Sequence, residues 1–317
     1  MKLFVIGNGF DIGHNICCKY SDFRKYLEEN REDILEAMEK FYYIGENSEL
    51  WSDFETSLEE DISYDSLAEI IGENSPNLAS DDFSDGDWYN AQVYIEQECD
   101  ELLENIRSGF EEWIGSLEIS QVKRKYDLKT TDNFITFNYT DVLEKIYQIP
   151  TSKIFHIHNK VGEELIFGHG KSSEDFDVNK ALYGDANASL SYDEYGNIES
   201  NDVGHEQFAE NAVLAFYDKM RKNTEQIIQH HSAYFEGLRD VEEIVVLGHS
   251  YNEIDFPYFK KIAESVSENT KWNLFYFSDN DKWSAEKVID RLEVADHLRA
   301  YKHCDLLEQE YTQLKLL

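Results

Sequence analysis

The chain opens with a short apolar run that passes directly into a glycine-rich turn, and this feature constrains the fold most. Residues Lys2–Ile6 lead into the stretch "GNGFD", which supplies Gly7, Asn8, Gly9 and Asp11. Short apolar runs without alternation are typical of strands that are covered on both faces in a parallel sheet. Glycines at the carboxyl end of such a strand let the backbone approach a phosphate closely. The turn therefore indicates a phosphate-binding loop or, alternatively, a tight connection between strand and helix.

Further strands of the same kind appear only after residue 130, and helical patterns separate them. The predicted strands are residues 133–137, 154–157, 244–247 and 273–277, and the predicted helices are 141–147, about 206–238, about 257–267 and 285–292. This alternation predicts an α/β fold with a doubly wound, mainly parallel Rossmann-like sheet. We expect a single domain over residues 1–317, in which residues 20–130 form a large helical insertion after the first strand and residues 170–205 a mobile loop or lid.

Charge and cysteine content narrow the classes of partner. With 29 Lys and Arg against 65 Asp and Glu, the net charge is −36, which disfavours nucleic acid and anionic membranes as partners. The four cysteines form no Cys-x-x-Cys pair, so a zinc ribbon is not expected. On the whole sequence we also expect no other bound metal. No signal peptide or membrane span is visible. These features predict a soluble, reduced, cytoplasmic protein.

A second polar motif, "FNYTD", follows the strand predicted at residues 133–137. It contains Asn138, Thr140 and Asp141. An Asn at the end of a buried strand can bind a sugar hydroxyl or position a water molecule. Asp141 either joins such a site or caps the following helix together with Glu144 in a capping box.

Two more motifs place histidine and glycine beyond predicted strands. His156 and His158 stand two apart, and we expect them to share one face of a strand. They are candidates for a general base, for metal ligands or for structural histidines. Gly248 and Ser250 follow the strand predicted at residues 244–247, and Asp255 could bind a ribose hydroxyl or cap the helix that begins near Pro257.

Taken together, the motifs resemble the bacteriophage abortive infection family AbiH. The resemblance is carried by "VIGNGFDIGHN", "WSDFE", "FITFNYTDVLE", "IFHIHN", "IFGHG" and "VLGHSYNEIDFPYF", which span most of the chain. That family in turn resembles the sirtuin-like NAD-binding proteins. The resemblance implies a sirtuin-like sheet and NAD as the ligand or substrate. The chain departs from the sirtuin pattern at two positions. Asn159 replaces a glycine, and Thr140 stands where an acidic residue is usual, unless Asp141 fills that place.

The resemblance also implies roles for individual residues. Asn138 and His158 would be catalytic, with Asn138 at the nicotinamide ribose and His158 as the base. The pyrophosphate turn would contribute Gly7, Asn8, Gly9 and Asp11, and the second strand motif would contribute Asp141. Asp22 and Arg24 would lie on the nicotinamide side, and Gly248 and Ser250 would contact the adenosine ribose.

The expected function is that of an antiphage effector that binds NAD and hydrolyses its nicotinamide–ribose bond. One alternative is a non-catalytic sensor of NAD or a related nucleotide that acts through a partner. A less favoured alternative is a metal-dependent nuclease that uses carboxylates such as Glu55, Asp11 and Asp141. The effector would have NAD as its small-molecule partner, and a homo-oligomer, a phage-derived trigger or a second defence protein are possible further partners.

Overall fold

The computed structural model describes residues 1–42, 54–75, 77, 80–176 and 203–315. The chain divides into two compact units. The first comprises Met1–Phe23, Glu111–Ile166 and Asn223–Leu317, and the second comprises Arg24–Phe110 and Phe167–Lys222. The single domain with an insertion at residues 20–130 therefore stays a prediction. Most of the lid predicted at residues 170–205 lies outside the described residues.

A six-stranded parallel sheet forms the centre of the first unit. Its strands are β1 (Lys2–Ile6), β2 (Asn133–Thr136), β3 (Ile154–His156), β4 (Glu243–Leu247), β5 (Lys271–Tyr276) and β6 (Arg299–His303). They lie in the order β3-β2-β1-β4-β5-β6, and every neighbouring pair is parallel. The α/β class and the parallel sheet are confirmed. Strand β6 was not predicted, because its sequence "RAYKH" is half-buried at the sheet edge and lacks the apolar run of a central strand.

Helices connect and cover these strands. In the described ranges the α-helices are α1 (Asn8–Gly13), α2 (Tyr20–Asn30), α3 (Glu32–Tyr42), α4 (Phe54–Ser57), α5 (Tyr64–Asn74), α6 (Asn90–Ser116), α7 (Val142–Lys145), α8 (Val203–Met220), α9 (Thr224–His230), α10 (Ser232–Glu236), α11 (Phe256–Ser265), α12 (Asp279–Arg291) and α13 (Cys304–Lys315). The single helix predicted near residues 206–238 is wrong. Asn223 interrupts it, because its side chain accepts a hydrogen bond from the Gln226 amide and begins α9.

Both faces of the sheet are buried, which explains the absence of alternation in the strands. Leu3 and Val5 of β1 pack into one apolar cluster, which includes residues of α11 and α12. Phe4 and Ile6 point to the other face and join a second cluster, which includes residues of α1, α7 and α13. Successive side chains of a strand alternate between faces, so a strand that is covered twice must be apolar throughout.

The second unit contains a buried ion pair and a cluster of three aromatic rings. The Lys222 side chain is fully buried, and its Nζ lies 2.9 Å and 3.0 Å from the two carboxylate oxygens of Glu55. The rings of Phe54, Phe110 and Phe167 contact one another at centroid distances of 4.9–6.4 Å. Among the helices in the described ranges, none is both long and apolar enough to cross a bilayer.

Candidate functional site

The glycine turn after β1 packs against the turn after β4. The Gly7 amide donates to the Leu247 carbonyl at 3.1 Å, and the Gly9 amide donates to the Gly248 carbonyl at 2.7 Å. Gly248 has a φ of +70°, and a Cβ atom there would overlap the amide nitrogen of Phe10. The glycines therefore permit close contact between two segments of the chain, and both amides already have acceptors in that contact.

Two other polar residues of the first turn stabilise the local backbone. The Asn8 side-chain amide donates to the Cys18 carbonyl at 2.8 Å, and the Cys18 thiol donates to Asn8 Oδ1 at 3.0 Å. His14 Nδ1 donates to the Phe10 carbonyl, and its Nε2 lies 2.7 Å from the Tyr147 hydroxyl. In this structure Asn8 and His14 thus hold the segment that follows β1.

Asp11 is a buried carboxyl group next to the end of β2. Only 1% of the residue is exposed, and Oδ2 accepts a hydrogen bond of 2.6 Å from the Thr140 hydroxyl. Burial raises the pKa of Asp11 to about 6, although Thr140, Asn138 and the charge of His156 act to lower it. The Oδ1 atom of Asn138 is buried, and it has no hydrogen-bond partner among the described residues. The sirtuin pattern would place an acidic residue at position 140. Thr140 stands there instead and donates a hydrogen bond to the acidic residue Asp11.

Asp141 and Glu144 do not form the predicted capping box. Asp141 stands before α7 without a side-chain capping bond, and it pairs with Lys145 at 2.8 Å. Glu144 Oε1 accepts from His156 Nε2 at 3.0 Å and from Lys160 Nζ at 2.8 Å. Burial acts to raise the pKa of Glu144, but these two donors outweigh it and lower the pKa to about 2. The capping interpretation is therefore wrong for both carboxylates.

His158 lies beyond β3 and faces a different partner from His156. Strand β3 ends at His156, so the prediction that both histidines share one strand face is wrong. The Nε2 atom of His158 is 3.8 Å from Asp255 Oδ1, and the Nε2 atom of His249 is 3.6 Å from Asp255 Oδ2. All three residues are buried, with exposures of 2–7%. The ring of Phe137 meets both imidazoles edge to face.

The turn after β4 directs His249 inward. Gly248 and Tyr251 both have left-handed φ values, of +70° and +58°. The Tyr251 amide donates to His249 Nδ1 at 2.8 Å. Asp255 stands at the start of α11 but makes no capping bond with its side chain, so the capping alternative is wrong there too.

Asn159, which directly follows His158, has a left-handed backbone conformation. Its φ is +62°, in the left-handed region that glycine adopts readily and that Asn tolerates better than most residues. Its side chain also donates to the Glu164 carbonyl at 2.7 Å. The departure from the sirtuin pattern at this position is therefore compatible with the turn that places His158.

The structure places the remaining predicted NAD contacts, Ser250, Asp22 and Arg24, in different surroundings. Ser250, two residues after Gly248, is exposed. Asp22 Oδ2 accepts from the Lys19 amide at 3.1 Å in the first unit. Arg24 belongs to the second unit, where it pairs with Glu28 at 3.4 Å.

The nuclease alternative needs a cluster of carboxylates. In the second unit, Glu55 pairs with the buried Lys222. Residues 51–53 of the "WSDFE" motif lie outside the described residues. Within the described ranges, no group of three or more His, Cys, Asp or Glu side chains could hold a metal ion.

Comparison with known proteins identifies the family. The family model described as bacteriophage abortive infection AbiH matches residues 3–276. The chain belongs to the AbiH family. Neither the curated proteins nor the solved structures contain a match to it.

Membership of AbiH implies a role in abortive phage infection. The match ends where β5 ends, so it includes β1 to β5 and every side chain of the site described above. Sequence reasoning named Asn138 and His158 but did not assign a role to His249. The sequence does contain a signal for His249, because this histidine directly follows the glycine at the end of a buried strand.

Proposed function

We propose that this AbiH protein binds NAD at the carboxyl edge of its sheet and hydrolyses the nicotinamide–ribose bond. Loss of NAD would halt an infected cell before phage progeny are released. The strand order supports this proposal, because 3-2-1-4-5-6 is the order of doubly wound dinucleotide-binding folds. In those folds the ligand binds beyond the carboxyl ends of the strands, where the order reverses between β1 and β4.

The observation that carries the proposal is a group of buried polar side chains beyond four adjacent strands. Asp11 follows β1, Asn138 follows β2, His158 follows β3 and Asp255 follows β4, and each residue is at most 7% exposed. Burial of polar groups costs free energy unless they are satisfied. An unsatisfied Asn138 oxygen and a carboxyl group with a raised pKa are typical of ligand sites.

These side chains suit hydrolysis of a glycosidic bond whose leaving group departs neutral. The bond between ribose C1′ and the nicotinamide nitrogen breaks, and its electron pair leaves with nicotinamide. Water adds to C1′ and gives its proton to a base, for which we assign His158. Buried carboxylates stabilise the positive charge on the ribosyl ring, and Asn138 orients the water or a ribose hydroxyl.

The pyrophosphate would be bound differently from the expectation drawn from the glycine turn. The amides of Gly7 and Gly9 donate to β4 and to the turn after it. The pyrophosphate would therefore take its hydrogen bonds from other backbone groups along this edge.

A sensor that binds NAD without turnover is the second candidate. The separations of 3.6 Å and 3.8 Å between Asp255 and the two histidines are longer than a direct hydrogen bond. This favours a site that binds NAD without catalysing its hydrolysis. Catalytic hydrogen bonds often tighten only when substrate is bound, so the same distances are compatible with an enzyme.

Nicotinamide release from NAD by the purified protein tests the proposal. We expect release by the wild type, with a fall of about 10²–10⁴-fold in His158→Ala, the usual magnitude for loss of a general base. We expect a comparable fall in Asn138→Ala. The exposed His297→Ala and Asn269→Ala variants are matched controls and should retain the wild-type rate.

Binding measured in parallel by calorimetry separates the two candidates. Saturable NAD binding without release would overturn the hydrolase and favour the sensor. Absence of both binding and release would overturn NAD as the ligand.

A further inference from the structure

We infer that Asp255 is a positioning residue shared by two histidines, which orients His158 for proton transfer and holds His249 as a neutral donor. The role of His158 as the base rests on the proposed function. The arrangement of His249, Asp255 and Tyr251 rests on the geometry of the turn after β4.

The protonation of His249 follows from its backbone contact. The Tyr251 amide donates to Nδ1 at 2.8 Å, so this nitrogen must carry a lone pair. The proton of the neutral ring then lies on Nε2, which faces Asp255 Oδ2 at 3.6 Å. A proton on Nδ1 would point at the Tyr251 N–H, so that two donors would face each other. The neutral ring is therefore favoured over the doubly protonated ring.

The second carboxylate oxygen of Asp255 faces the other histidine. Oδ1 lies 3.8 Å from His158 Nε2. A carboxylate beside an imidazole favours the tautomer that carries its proton on the facing nitrogen, and it stabilises the ring when that ring takes up a second proton. For His158, this places the lone pair on Nδ1 and assigns that nitrogen as the proton acceptor.

The surroundings of the cluster strengthen its electrostatics. Phe137 contacts both imidazoles, and Phe259 contacts His249 with centroids 4.8 Å apart. The ionisable side chains that contact one or both imidazoles include Asp255, Tyr139, Tyr251 and Tyr258. An apolar enclosure of this kind lowers the effective dielectric, so one carboxylate has a large effect on two rings.

A measurement independent of activity tests the assignment. Nitrogen-15 chemical shifts of the histidine rings report tautomer and protonation in the full chain, and His158→Gln and His249→Gln assign the signals. We expect His249 to remain neutral, with its proton on Nε2, between about pH 5.5 and pH 8.5. In Asp255→Asn, we expect the pKa of His158 to fall by about one pH unit.

Two variants keep that test informative. Asp240→Asn removes an exposed carboxylate of the same unit and should leave both rings unchanged. If Asp255→Asn fails to fold, Asp255→Glu is measured in its place, and we expect it to preserve the pKa of His158. A protonated His249 near neutral pH, or the same His158 pKa in Asp255→Asn and wild type, would overturn the inference.

Activity provides a second readout once nicotinamide release is established. We expect Asp255→Asn to lower kcat by at least about 10²-fold and to shift the acidic limb of the pH profile, with NAD affinity retained. Partial recovery in Asp255→Glu is expected from a positioning role. An equal loss of NAD affinity and kcat would instead assign Asp255 to ligand binding. A wild type that releases no nicotinamide defeats the proposed function but leaves the result on the histidine rings intact.

Discussion

Replacement of Glu144 by Gln tests the electrostatics beside the candidate site most directly. Glu144 accepts hydrogen bonds from His156 and Lys160, and they lower its pKa from 4.5 to about 2. A tenfold change in proton affinity is worth about 1.4 kcal/mol, so this fall corresponds to about 3 kcal/mol of stability. Solvent screening of the partly exposed group reduces the expected value to about 2 kcal/mol.

The pH dependence follows from the direction of the change. Because the folded pKa lies below the unfolded one, the stabilisation is complete above the unfolded value of 4.5 and is lost as pH falls toward the folded value. We therefore expect Glu144→Gln to lower the free energy of unfolding by about 2 kcal/mol at pH 7, with most of the difference from wild type gone near about pH 3.

Urea denaturation of wild type and variant across this range measures the difference. Glu264→Gln removes an exposed carboxylate from α11 and serves as the matched control, with no expected change. A difference between wild type and Glu144→Gln that stays constant between pH 7 and pH 3 would refute the reasoning.

Three further substitutions test other parts of the structure. Asp11→Asn should stabilise the protein by about 2–3 kcal/mol at pH 7, because burial raises the pKa of Asp11 from 3.8 to about 6 and ionisation above that pKa is unfavourable. In urea denaturation, the difference in free energy of unfolding between Asp11→Asn and wild type should grow from about pH 4 to pH 6, and a constant difference would contradict the reasoning. NAD binding by Asp11→Asn should weaken. Gly248→Ala should lower the melting temperature and cost about 3 kcal/mol or more, because φ is +70° and the added Cβ would overlap the backbone of α1. Gly237→Ala, where a Cβ meets nothing within 4 Å, should be nearly neutral, and equal effects of the two changes would speak against the argument. Lys222→Met should cost about 3–5 kcal/mol because it leaves the Glu55 charge buried, and urea denaturation should show recovery in Lys222→Met/Glu55→Leu. A double variant no more stable than the single one would show that the ion pair is not the cause.

The sequence predicted the sheet well where strands are buried on both faces. Strands β1, β2, β4 and β5 appear within about two residues of their predicted bounds, because runs such as "IVVL" are unambiguous. Strand β6 escaped prediction because its edge position tolerates charged residues such as Arg299 and Lys302. The break at Asn223 was missed because a capping side chain outweighs a continuous apolar pattern.

The candidate site was only partly predictable, because its partners come from distant parts of the chain. Asn138 and His158 could be named from local motifs. The contact of Asp255 with two histidines depends on how the turns after β3 and β4 fold, and no local spacing records it. The bond between Thr140 and Asp11 likewise joins residues that are far apart in sequence. Predicted caps at Asp141 and Asp255 failed because charged or imidazole partners in the folded protein compete with the helix amides.

The position of β1 has a consequence for the order in which the chain folds during synthesis. This strand lies in the middle of the sheet, where Leu3 pairs with Asn133 and Lys2 pairs with Glu243. Strand β1 therefore leaves the ribosome before both of its neighbours, β2 and β4, and its apolar residues stay unpaired until they have been made. Such long-range pairing is slow, because the entropy of closing the loop is lost before any contact compensates for it. Asp255 emerges later still, so a nascent AbiH chain cannot assemble the site until synthesis has passed this residue.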